Sequence, residues 1–515
     1  MKVWLMHRDR DFELNAGVPS NAADLIRDLE LEPLFNAMAA GDSLLLDIAK
    51  TAVLASLDDP QSILYRQHVL ADCVDQAEVV REIYDIAVNA IERERKVWRW
   101  MSIRYPEGTL HRALEVLGSF VSLLKKMRKI AEEQSANFRS EGFSRFFEML
   151  RSELDEEYIK TIEEHMDRLR FRHGLLMSAT LGKGNKAAKY VLRKPWETHQ
   201  SWVERLQHWV KRVTGNDDSL YYEIADRDEA GFRALSDLRS QGIGHIATAL
   251  AQSTDHILSF FSMLRLELGY YIGCLNLREM LIRKGEPVCL PNPLQAGTSR
   301  LSARGLYDVS LSLNIDGRTV GNEVTADQKT LIIITGANRG GKSTCLRSLG
   351  QAHLMMQCGM FVAAESFSAN VCRGIFTHFK REEDANLKSG KLDEELRRMS
   401  TIVDSISPES LVLLNESFSS TNEREGSEIA RQIVRALLES GIKVFYVTHM
   451  FDLARSFWTA RMPEALFLRA ERLGDGRRTF RMVEGEPLPT SYGADLFRRI
   501  FDTAAAEPIV HELAQ

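Results

Sequence analysis

Cysteine is scarce in this chain and follows no pattern. The six cysteines (Cys73, Cys274, Cys289, Cys345, Cys358 and Cys372) include no C-x-x-C pair, and no histidines join them at metal-ligand spacing. A disulfide framework and a structural zinc site are therefore not expected. Long apolar runs are missing too. None approaches the ~18 residues of a membrane span, and Met1 to Asp11 carries charges where a signal peptide needs its apolar core, so a cytoplasmic chain without a membrane partner is expected. A net charge of −6 argues against indiscriminate polyanion binding but leaves room for a local basic patch. Glycine and proline are rare from about Ala22 to Val213, where apolar residues recur three and four apart, as in Ala113, Val116, Leu117, Phe120, Val121 and Leu124. That texture predicts long amphipathic helices.

Proline and glycine return in Lys284-Gly-Glu-Pro-Val-Cys-Leu-Pro-Asn-Pro293, after a periodic helical stretch from about Ile243 to Ile282. Breakers at this density place a domain boundary here. Beyond it, strand-like and helix-like segments alternate, as in a parallel sheet. At 515 residues the chain has room for such a division, and the expected fold is multidomain: a mainly α helical core or lever region over 1–293, then an α/β P-loop domain over 294–515.

The second region is organised around Leu331-Ile-Ile-Ile-Thr-Gly-Ala-Asn-Arg-Gly-Gly-Lys-Ser-Thr344, an apolar β-branched run, a G-x-x-x-x-G-K-S loop and the start of a helix. This order is the phosphate-binding P-loop in its required context. Gly336, Gly340 and Gly341 allow the backbone to turn its N–H groups onto phosphate oxygens, Lys342 supplies a point charge, and Ser343 offers a hydroxyl to Mg²⁺. A nucleoside triphosphate is the implied ligand. A second apolar run, Leu411-Val-Leu-Leu414, ends in Asn415-Glu416, and a third, Val444-Phe-Tyr-Val447, ends in Thr448-His449. Glu416 is expected to orient or deprotonate water, Asn415 to be the outer partner of Mg²⁺, and His449 to reach the γ-phosphate, because open α/β sheets gather such groups at one crevice.

One window interrupts the helical region. Between Arg168 and Lys194 stand eight basic residues (Arg168, Arg170, Arg172, Lys183, Lys186, Lys189, Arg193 and Lys194) and no acidic one. Its centre, Leu175 to Leu181 followed by Gly-Lys-Gly-Asn-Lys and Ala188 to Arg193, is patterned as a hairpin. A basic hairpin tip is expected to contact nucleic-acid phosphates, the alternative being an ordinary solvated face.

These residues resemble a known family. Thr335-Gly-Ala-Asn-Arg-Gly-Gly-Lys-Ser-Thr344 is similar to the T-G-P-N-M-G-G-K-S-T of MutS-type mismatch-repair ATPases, a branch of the ABC ATPases. Asn415-Glu-Ser-Phe-Ser-Ser-Thr-Asn-Glu-Arg-Glu-Gly426 lies without gaps on that family's D-E-x-x-x-G-T-x-x-x-x-G. Gly374-Ile-Phe-Thr-His378, Leu387-Lys-Ser-Gly390, Val447-Thr-His449 and Ser491-Tyr-Gly493 look like its I-F-T-R, L-x-S-G, A-T-H and S-Y-G elements, while Asp59 to Gln67 is more weakly similar to its helical core. The resemblance implies an ATP- and Mg²⁺-dependent homodimer that clamps DNA, with Asn338 and Thr344 joining the P-loop contacts and Ser389 and Gly390 completing the partner's site. Two departures matter. This sequence has no room ahead of the helices for the mismatch-reading and connector domains, and the family's Walker-B aspartate is Asn415, which lowers the expected hydrolysis rate. A nucleotide-gated binding module acting on RNA, a ribosome or a protein is the competing expectation.

Overall fold

The computed structural model describes residues 1–100, 106–171, 176–181, 187–193, 229–297, 299–381, 390–474 and 476–489. They form two compact units.

The first comprises Met1–Lys2, Glu82–Ser135 and Phe147–Arg265. Helix Pro106–Gln134 buries the apolar stripe anticipated from its spacing, including Val116, Leu117, Phe120, Val121 and Leu124. Phe120 packs against Phe261 of helix Glu229–Arg283 with ring centroids 5.5 Å apart. Helix Glu156–Leu169 starts at Asp155, whose carboxylate accepts from the Tyr158 N–H at 2.6 Å and so satisfies one orphan donor of the first turn. In the basic window, strands β1 (Met177–Leu181) and β2 (Ala187–Leu192) pair antiparallel, Met177 opposite Leu192.

The second unit comprises Val3–Arg81, Ala136–Phe146 and Leu266–Gln515. Its centre is a six-stranded sheet whose order depends on strands β6 (Leu331–Gly336), β8 (Ile375–Phe379), β9 (Leu411–Asn415), β10 (Lys443–Val447), β11 (Ala465–Arg472) and β12 (Arg478–Glu484). The order is β12-β11-β6-β10-β9-β8; all neighbours run parallel except β12, which closes one edge antiparallel. Covered on both faces, the central strands are apolar except near their ends, which is why they read as continuous apolar runs. One face packs on Ala430, Val434 and Leu437 of helix Glu423–Glu439, Leu453 and Phe457 of helix Phe451–Thr459, and Met399 and Ile402 of helix Lys391–Ser405. Helix Lys342–Gln357, with thirteen buried residues, contacts the sheet through β6, β9 and β10. A smaller sheet, β3-β7-β4-β5, is built from β3 (Asn292–Leu294), β4 (Leu301–Leu306), β5 (Asn322–Thr325) and β7 (Ser366–Asn370).

The N-terminal residues of this unit form a strap held by buried polar side chains. Glu267, fully buried, accepts from the backbone N–H groups of Leu5, Met6 (3.1 Å) and Phe12 (3.1 Å). Tyr271 donates to the Leu5 carbonyl at 2.6 Å, Tyr65 to the Trp4 carbonyl at 2.6 Å, and Arg66 Nε to the Met6 carbonyl at 2.8 Å. Irregular backbone survives in a core only when its polar groups are paired, and these side chains supply the partners that a sheet would otherwise provide. Among the described residues no helix is long and apolar enough to cross a membrane.

Candidate functional site

The site lies where β6, β9 and β10 end. Gly336 leaves β6 at φ +108, and a Cβ there would stand 2.9 Å from the Ala470 nitrogen of β11; Gly341 caps the next helix at φ +89. Only glycine meets both demands, a left-handed backbone and close approach of a neighbouring strand. Gly340 is packed as tightly, with an added Cβ 2.7 Å from Ala470 Cβ. Because Gly341 brings no side-chain cap to helix Lys342–Gln357, the first-turn N–H groups keep their donor capacity and the positive end of the helix faces the loop. Arg478 of β12 donates through Nε to the Asn338 carbonyl at 2.7 Å and braces the outer side of the loop. Asn338 is exposed, whereas Ser343 and Thr344 are half-buried at the helix start.

Lys342 is 7 % exposed, and its ammonium donates to the carbonyls of Gly336 (3.1 Å) and Ala337 (3.3 Å). Burial pushes its pKa down, against the pull of the Glu416 carboxylate. The ammonium thus occupies the loop it serves, within reach of any anion that displaces those carbonyls.

Two contacts join the strand ends. Ser343 Oγ donates to Asn415 Oδ1 at 2.9 Å. Glu416 sits at φ +53 with its N–H donating to the Val447 carbonyl at 2.9 Å, and its carboxylate accepts from the His449 N–H at 3.1 Å and from the His449 ring at Nδ1. A left-handed non-glycine residue costs on the order of 1–3 kcal/mol, and such conformations persist where the surroundings over-determine them. Here that conformation brings the carboxylate to the adjacent strand end. The hydrogen bond that the His449 ring donates to the Glu416 carboxylate raises the His449 pKa, burial opposing it; the imidazole side chain is 45 % exposed and the Glu416 side chain 21 %. A half-open carboxylate–imidazole pair beside a donor-rich loop can orient water and exchange a proton with it.

The turn after Glu416 is fixed from behind. Ser417 Oγ donates to the His378 carbonyl at 2.6 Å, Tyr446 donates to the Ser417 carbonyl at 2.6 Å, and the buried His378 ring stacks on Phe418 at 5.3 Å. Burial holds the His378 pKa down to about 4, so this imidazole is neutral. An added Cβ on Gly426 would lie 2.3 Å from the Phe418 carbonyl oxygen, which explains why only glycine fits there.

Ser343 and Asn415 are both oxygen donors of the kind a hard cation takes, but neither carries charge. Among the described residues no cluster of three acidic, histidine or cysteine side chains could hold a metal on its own. The two residues fit Mg²⁺ that keeps its waters and arrives with a phosphate.

The other anticipated residues divide. Gly390 is the N-cap of helix Lys391–Ser405; Ser389 lies outside the described residues. In the basic window, Arg168 pairs with Glu164 at 3.6 Å and Arg170 with Asp167 at 3.2 Å, so their charge is offset within their own segment, while Arg193 donates to Ser178 Oγ at 2.8 Å. Lys189 belongs to β2; Arg172, Lys183, Lys186 and Lys194 lie outside the described residues. Sequence reasoning missed Arg478, and it missed Lys380, the residue directly after β8, whose backbone N–H donates to the Asn415 carbonyl at 2.9 Å. Its place after the I-F-T-H strand was the available signal.

Residues 58–284 match the model of the MutS2 N-terminal domain, and residues 332–503 match that of MutS domain V. The chain belongs to the MutS family. The MutS-type modules matched are thus the MutS2 N-terminal domain and domain V. It is 32% identical over 185 residues to an endonuclease MutS2 of Thermus thermophilus, covering 35% of this chain and 24% of that protein. It is 34% identical over 172 residues to a DNA mismatch repair protein MutS of Thermotoga neapolitana (33% and 21% covered), and 26% identical over 170 residues to the mouse MutS protein homolog 4 (33% and 17%). The matched stretches thus span about a quarter or less of these MutS relatives.

Proposed function

We propose that this chain is a MutS-type ATPase that acts on DNA and changes state with the nucleotide. The observation that carries the reading is the meeting of three strand ends, linked by Ser343–Asn415 and Glu416–His449, around an uncapped helix start. Gly336, Asn338, Gly340, Gly341, Lys342, Ser343 and Thr344 hold the phosphates of ATP; Ser343 and Asn415 hold Mg²⁺, which when bound neutralises phosphate charge. Glu416 orients the attacking water, accepting its proton, and His449 presents its imidazole to the γ-phosphate from the next strand. In this reading 294–515 is the ATPase domain and 1–293 the helical core, in a cytoplasmic homodimer whose Ser389–Gly390 loop caps the partner's nucleotide.

The neutral Asn415 favours slow hydrolysis, and with it the second reading, a nucleotide-gated module for RNA, a ribosome or a protein. Glu416 favours the first. The names of the relatives point to DNA, and the basic window makes its backbone or shape the expected target. The test combines turnover and binding in the full chain. Glu416→Gln should keep ATP binding and lose at least about a hundredfold in kcat, since an orienter of water acts in the transition state. Changing Lys183, Lys186 and Lys189 together to glutamate should flatten the salt dependence of duplex binding, each lost phosphate contact removing roughly 0.9 from the slope of log affinity against log salt. Wild-type turnover in Glu416→Gln would refute the catalytic assignment; an unchanged slope would refute the basic window as the DNA contact.

A further inference from the structure

The replacement of the expected carboxylate by Asn415 leaves a question of charge. A carboxylate with Mg²⁺ presents a net +1 to the phosphates; once the metal is removed, an asparagine with one monovalent cation presents the same. Strand β8 runs parallel to β9 with Phe379 opposite Asn415, and the next residue, Lys380, is bonded through its N–H to the Asn415 carbonyl. The chain therefore leaves β8 at the level where Asn415 and Glu416 leave β9, with an exposed lysine on a flexible four-carbon stem. The neighbouring cations are committed elsewhere. Arg381 pairs with Asp24 (2.8 Å) and Glu394 (3.2 Å), and Arg398 donates to the Phe379 carbonyl at 2.9 Å beside Asp28. The Lys380 charge is felt by two side chains on different elements: it works against protonation of His449 and for ionisation of Glu395. The end of β8 thus lies beside the end of β9, where a lysine's four-carbon stem gives its ammonium a wide reach.

We propose that Lys380 is a phosphate-binding residue of this site, supplying at the end of β8 the positive charge that a carboxylate-held Mg²⁺ would otherwise bring to a nucleoside triphosphate. The inference rests on the nucleotide reading above and adds a consequence: binding of the triphosphate tolerates removal of the metal. Two lysines, Lys342 inside the loop and Lys380 across from it, flank the terminal phosphate. The absence of charge at Asn415 then removes the carboxylate that would repel an unmetallated triphosphate.

A fluorescent ATP analogue titrated into the full-length chain, with excess Mg²⁺ and then with EDTA, tests this. Wild type should lose less than about tenfold in affinity on chelation. Lys380→Ala should lose a further ten- to hundredfold in EDTA, the worth of about one charge-assisted hydrogen bond, and about threefold or less in Mg²⁺. Lys380→Arg should retain binding in both. Because Lys380 is exposed, circular dichroism and melting should match wild type. A Lys380→Ala chain that tracks wild type in EDTA overturns the inference while leaving the nucleotide reading intact, and so does a wild type that loses more than about a hundredfold on chelation. A wild type that binds in neither condition, matching Lys342→Ala, overturns both.

Discussion

Glu267 allows one prediction to be worked through in numbers. Its carboxyl is buried among three backbone N–H donors, near Asp11, and burial raises its pKa from 4.5 to about 7 despite those donors. Between these values the folded protein keeps a proton that the unfolded chain has released. The unfolded state then binds fewer protons, so stability falls as pH rises through this window. The shift of about 2.5 (7 − 4.5) corresponds to about 3 kcal/mol at 1.36 kcal/mol per unit, fully lost once the pH exceeds 7. Glu267→Gln has no proton to release. It should cost on the order of 1–2 kcal/mol at pH 5, where its NH₂ group must face a backbone donor, and that deficit should disappear or reverse by pH 8. In thermal unfolding the difference in melting temperature between the two proteins should change by on the order of 5 °C between these pH values, at roughly 2 °C per kcal/mol for a chain of this size. A difference that stays flat with pH would refute the account of the strap as resting on a carboxyl that is neutral below pH 7.

Further outcomes follow from the site. Gly426→Ala forces its Cβ against the Phe418 carbonyl, so it should cost about 1–3 kcal/mol, read as a lowered melting temperature, and slow turnover by displacing the Glu416 turn; unchanged melting would show that the turn yields freely. The His449 imidazole, titrated by NMR, should show a pKa above 6.5 in wild type that drops in Glu416→Gln. The His449–Glu416 interaction should therefore stabilise the fold fully below pH 6.5 and lose that contribution as pH rises through the raised value, and an imidazole indifferent to Glu416→Gln would contradict the pairing.

What could be read from sequence depended on how local the cause was. The runs at Leu331, Leu411 and Val444 announce buried parallel strands because both faces of each are covered, and the P-loop glycines announce themselves through the backbone they permit. The long helix is legible in kind but not in extent: the strong period runs from about Ile243, and the single helix begins already at Glu229, directly after the polar stretch that starts at Asn216. The strap was illegible because its partner Glu267 lies 255 to 262 residues away, and a lone glutamate in a helical stretch looks like a solvated one. Lys380 had no visible role until β8 was set beside β9, and the Glu416–His449 pair depends on a left-handed φ that nothing in the residue type suggests.

The helix that starts at the P-loop is also held at its far end. Its sixteen residues span about 24 Å at 1.5 Å per residue. Just past it, the Cys358 carbonyl accepts from Tyr270 Oη at 2.7 Å and Arg66 Nη1 at 3.2 Å, while Gln357 bonds to Ser56, Leu57 and Cys372. A hydrogen-bonded helix resists compression along its axis far more than a loop does, and no proline interrupts this one. It works as a strut. A load placed on Gly341 would run end-on along this helix to Tyr270 and Arg66, and through Arg66 to the Met6 carbonyl of the strap, residues that lie far from the loop itself.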